Sequence, residues 1–109
     1  MRRLLPRRLA LPLVAAGLAG ACAGATIPRV SDSDVERART TTPEITRASL
    51  EHGRSLYLAR CSSCHQAFAP GSRDEASWTF EVAEMRTLAG LDAEEEGLIL
   101  SYLRTFARP

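Results

Sequence analysis

The 109-residue sequence has no lysine, only two histidines and three cysteines. It also has no run of alternating apolar and polar residues, which argues against half-buried strands and any βαβ arrangement. All fourteen basic residues are arginine, and Arg2, Arg3, Arg7 and Arg8 account for four of them. From position 22 onward ten arginines face thirteen aspartates and glutamates, a balance of −3. There is no basic stripe, which excludes nucleic acid as a partner and leaves any electrostatic docking to local patches. No function attaches to the missing lysine. The length allows one small domain, and no internal repeat is visible.

What is present is concentrated in one pentapeptide, Cys61-Ser62-Ser63-Cys64-His65. Two cysteines two residues apart, followed directly by histidine, form the attachment signature of c-type haem. Thiols about one helical turn apart reach the two vinyl groups on one porphyrin edge, and the adjacent imidazole is carried toward the iron. Other uses of a Cys-x-x-Cys pair fit less well. A thioredoxin-like redox pair belongs at a strand–helix junction, which this chain lacks. A tetrahedral zinc site needs four ligands, and outside the pentapeptide only His52 and Cys22 remain. The cofactor expectation is therefore one covalent haem c, with Cys61 and Cys64 as thioether residues and His65 as the proximal iron ligand.

Residues 1–21 have the parts of an export signal: the arginine-rich start, an apolar Leu9–Leu18 segment, and small residues at Ala19-Gly20-Ala21. The apolar segment is short and broken by Pro12, Gly17 and Gly20, unlike a membrane span. Cys22 stands where bacterial lipoprotein signals place the cysteine that is acylated, so the segment resembles a lipobox, with Ala19 where leucine is commoner. Ordinary cleavage after an A-x-A triplet is the alternative. The expectation is an exported protein on the periplasmic side, held to a membrane by a lipid on Cys22.

Residues 22–43 are rich in Thr, Ser, Asp and Arg, and read as a polar linker. Ser31 to Asp34 offer a cap for a brief helical turn over 32–39, but composition favours a solvated tether. Residues 44–109 read as the domain. Apolar spacing predicts a helix over about 47–59, a loop over 66–77 marked by Pro70 and Gly71, and a helix over about 78–88. A last helix is capped by Asp92 with Glu95 three residues later, and carries the stripe Leu98, Ile99, Tyr102, Leu103 and Phe106. The fold class is all-α, about three helices around one haem.

Gly53 and Tyr57, eight and four residues before Cys61, together with Leu98, Tyr102 and Leu103, resemble the corresponding positions of class I-type monohaem cytochromes c. The resemblance spans roughly residues 48–107, and its specific element is the Cys-x-x-Cys-His motif. It implies that the first and last helices cross closely at Gly53, and that a later methionine completes iron coordination. Met85 is the one methionine left once Met1 departs with the signal. It lies twenty residues after His65 and, on a helix, shares a face with Trp78. Met85 as ordinary core filler and His52 as a rival ligand are the competing assignments. Trp78 and Arg73 are candidates for haem and propionate contacts. Where many class I cytochromes use a distant proline carbonyl to hold the proximal imidazole, the nearest here is Pro70, so the loop is a compact variant.

The function these features imply is single-electron transfer between redox protein partners, with no catalysis by the chain itself. The alternatives are a haem sensor or peroxidase-like protein with an open or displaceable sixth position and, more remotely, a non-haem redox or zinc module.

Overall fold

The computed structural model describes residues 26–62 and 65–109. The signal segment, Cys22 and Cys64 lie outside the described residues. Four α-helices run in the order α1 (Asp32–Arg39), α2 (Arg47–Leu56), α3 (Glu75–Ala89) and α4 (Ala93–Phe106). A π-helical turn, Tyr57–Cys61, continues α2, and a 3-10 turn, Pro70–Ser72, precedes α3. Among the described residues no strand forms; a single bridge joins Asp74 and Arg108. The domain is all-α. No helix among the described residues is long and apolar enough to cross a membrane.

Each helix starts at a side-chain cap that satisfies otherwise orphaned amides. Asp92 accepts from the Glu95 amide at 2.8 Å, and Glu95 accepts in return from the Asp92 amide at 3.2 Å, the predicted capping box. Thr46 and Ser49 make the equivalent box at α2. Asp74 accepts from the Ser77 amide at 2.8 Å, so α3 begins at Glu75 rather than near Trp78. It ends at Gly90, whose φ of 65° suits glycine at a helix terminus.

The core lies where α2 and α4 cross. Leu50, Ile99, Tyr102 and Leu103 are fully enclosed there. A Cβ built on Gly53 would sit 2.1 Å from the Leu98 carbonyl oxygen, so the two backbones touch at this glycine. The close approach drawn from the resemblance is present.

Residues 26–43 differ from the expected tether. Ser31 and Asp34 cap α1 reciprocally, and Val30, Val35 and Ala38 are buried against the domain. The preceding chain is held by its carbonyls. Arg54 donates to Pro28 O at 2.8 Å and to Ile27 O at 3.1 Å, Tyr102 Oη donates to Pro28 O at 2.7 Å, and Arg47 donates to Val30 O at 2.6 Å. At the far end of α1, Arg37 bridges Asp34 at 2.7 Å and the Thr105 carbonyl at 3.1 Å. Burial pushes the Asp34 carboxyl up, but the bonds from Ser31 and Arg37 outweigh it and hold it below the ordinary carboxylate range. This segment is a strap over α2 and α4, not a linker. Arg47, Arg54 and Tyr102 reaching backbone carbonyls fasten it, together with the buried Val30, Val35 and Ala38.

Candidate haem site

A cleft of about 240 Å³ opens between the end of α2 with its following loop and the length of α3. Tyr57, Cys61, His65 and Phe68 line one wall; Phe80, Val82, Met85 and Leu88 line the other, with Trp78 also contributing. The lining is overwhelmingly apolar. Arg60, Glu81 and Glu84 supply its polar edge.

The π-helical turn places two residues of the first wall. Tyr57 stays buried, 6.0 Å edge-on from the Trp78 ring and 6.4 Å from Tyr102, while Cys61 at the end of the turn also reaches the cleft. Such widened turns concentrate at functional sites. Burial pushes the Tyr57 hydroxyl up to about 12, so it remains neutral and donates a hydrogen bond to the Phe68 carbonyl at 2.6 Å. Burial likewise pushes the Cys61 thiol up.

His65 is exposed, and its Nδ1 lies 2.9 Å from the Gln66 carbonyl oxygen. Pairing with an acceptor puts the proton on Nδ1 and leaves the Nε2 lone pair for a metal. Met85 is half-buried on the α3 wall. His52 is exposed on α2 and is not among the residues lining the cleft. Trp78 faces the cleft with its ring, since its indole N–H is committed to the Pro70 carbonyl at 2.7 Å. Pro70 therefore holds the tryptophan. Arg73 stands behind the lining, paired with Glu81 at 2.5 Å and donating to Ser72 Oγ at 3.2 Å.

Three large apolar side chains are conspicuously open to solvent: Phe68 at 44 %, Phe80 at 67 % and Leu88 at 78 %. All three line this cleft. A domain this small does not normally leave its largest apolar groups together at one opening. A flat apolar group laid between the walls would cover them. The donors match as well: an imidazole on one wall, a thioether on the other, and a thiol at the end of the π-helical turn. The residues present fit a haem.

Residues 57–109, just under half of the chain, match the model of the dihaem cytochrome c family. The match supports a c-type cytochrome. It begins at Tyr57, takes in the Cys-x-x-Cys-His motif and both cleft walls, and runs to the end of the sequence. The family's name carries two haems, whereas this sequence holds a single such motif. No curated protein and no solved structure matches the chain.

Phe68, Phe80 and Arg60 were not singled out in the sequence, and Leu88 was read there only as an apolar position of its helix. One signal pointed to Phe80 and Leu88. Phe80 and Leu88 lie eight residues apart on α3, off the Trp78–Val82 core face, so that helix is apolar on two sides. A helix with two apolar faces has two things to cover.

Proposed function

We propose that this chain is a periplasm-facing monohaem electron carrier with histidine–methionine coordination, tethered to a membrane through a lipid on Cys22. The observation that carries the proposal is the apolar cleft with His65 on one wall and Met85 on the other. Cys61 and Cys64 would hold the macrocycle by its edge, His65 would bind the iron through Nε2, and Met85 would bind it through sulfur. A haem bound there supplies one-electron chemistry at its iron. The Met85 thioether favours the reduced metal and raises the potential above that of a two-histidine site. Phe80, Val82 and Leu88 keep water from the macrocycle faces, and the open side of the cleft leaves an edge for redox partners.

Met85→Ala, made in protein matured by haem-attachment machinery, is expected to abolish the long-wavelength methionine–iron band of the oxidised form and to lower the midpoint potential. Survival of the band would remove Met85 from the coordination sphere. A high-spin oxidised spectrum in the wild type would favour the sensor or peroxidase-like alternative.

The strap bears on the tether. Arg54 already holds Ile27, so only residues 23–26 separate Cys22 from the fixed domain. Five residue steps span at most about 18 Å, which keeps the domain close to the bilayer. Cys22→Ser is expected to eliminate fatty-acid labelling and release holoprotein from membranes; unchanged membrane retention would count against the anchor.

A further inference from the structure

The two walls of the cleft are joined by a ladder of lining side chains linked from behind by Arg73. On α3, Glu81 Oε1 receives Arg73 Nε at 2.5 Å. The Arg73 guanidinium lies 5.0 Å from the centre of the Trp78 ring, also on α3, and 4.4 Å from that of Phe68, on the opposite wall. Phe68 in turn packs on the His65 imidazole with centroids 5.3 Å apart. Both loop members are tied by their backbones: Phe68 through its carbonyl to the Tyr57 hydroxyl at 2.6 Å, and Arg73 through its carbonyl to the Arg108 amide at 2.9 Å.

We infer that Arg73 is a positioning residue that fixes the spacing between the His65 wall and the Met85 wall, and thereby the hold of Met85 on a bound iron. This rests on the proposed histidine–methionine coordination. Arg73–Glu81 is a partly exposed ion pair, and such pairs contribute little stability by themselves. Its value is geometric. A planar guanidinium can lie against two aromatic rings while directing an N–H at a carboxylate; a lysine ammonium keeps the charge but has no plane to stack. If the spacer loosens, the methionine sulfur competes less well with an external ligand.

The test is an imidazole titration of the oxidised holoprotein, followed in the visible spectrum. Arg73→Ala is expected to bind imidazole roughly tenfold more tightly than the wild type, the effect of losing two cation–ring contacts. Arg73→Lys should resemble Arg73→Ala, and Glu81→Gln should shift affinity in the same direction. Arg39→Ala, which removes an arginine paired with Glu36 on α1, should leave affinity unchanged. If Arg73 served instead as a charge for a propionate, Arg73→Lys and Glu81→Gln would both stay within about twofold of wild type. That outcome overturns the inference, and it does so even if Arg73→Ala yields no holoprotein. Failure of the underlying coordination is seen separately, as a wild-type spectrum that Met85→Ala does not change.

Discussion

Gly53→Ala is expected to destabilise the domain by at least about 3 kcal/mol, the upper part of the usual cost of overpacking. The reason is the identity of the neighbour. An alanine Cβ would meet the Leu98 carbonyl oxygen at 2.1 Å and its carbon at 2.8 Å, both backbone atoms in the middle of α4. A flexible side chain can turn aside, but a helix backbone cannot, so α4 must move as a body. It carries Ile99, Tyr102 and Leu103 out of the core as it does so. Tyr102 also holds the strap through Pro28, and Tyr57 lines the cleft beside it, so the displacement reaches both. For a domain of this size the loss corresponds to a fall in melting temperature of roughly 12–24 °C. Gly97→Ala is the matched control. It lies on the same helix with nothing within 4 Å of the added carbon, and alanine is the better helix former, so a gain of up to about 1 kcal/mol is expected. Thermal melts of the two holoproteins decide the matter; a Gly53→Ala protein that melts with the wild type would mean that the helices do not meet as described.

One partner of this crossing was legible in the sequence because it depends on local features. Asp92 and Glu95 announce the start of α4 and the stripe from Leu98 to Phe106 announces its inner face, whereas the close approach at Gly53 came from the resemblance to class I-type cytochromes c. The strap was not legible for the opposite reason. Its segment has few large apolar residues, and its main attachments are backbone carbonyls accepting from Arg47, Arg54 and Tyr102, up to 74 positions away. A carbonyl exists at every position, so composition does not reveal which ones are used. The capped turn at Ser31 was visible, but what it packs on was not. The beginning of α3 moved for a local reason, because Asp74 caps it and Glu75 to Ser77 form its first turn. At the site, the pentapeptide and Met85 came from chemistry and counting. The role of Arg73 came from neither, since its partners Phe68, Trp78 and Glu81 approach it from two elements.

Removing the proposed attachment thiols, with Cys61→Ala and Cys64→Ala together, is expected to divide the domain into a part that stays ordered and a part that does not. The crossing of α2 and α4 and the strap bury their apolar groups against each other without help from the cleft. The α3 wall does not. Phe80 and Leu88 face the opening, Met85 lines it half-buried, and the loop carrying His65 and Phe68 is joined to α3 through Arg73 and the Trp78–Pro70 hydrogen bond. Without a bound group the apolar lining must meet water, and every contact a haem would make with folded but not unfolded chain is lost as stabilisation. Domains of this size have little reserve to absorb such a loss. Hydrogen exchange should therefore show α3 and residues 65–74 losing most of their protection while the amides of α4 from Ile99 to Leu103 retain more, and the melting temperature should fall well below that of the holoprotein. If α3 in the thiol-free protein were as protected as α4, its open apolar face would be stable in water as it stands, and the case for a haem built on that face would fail.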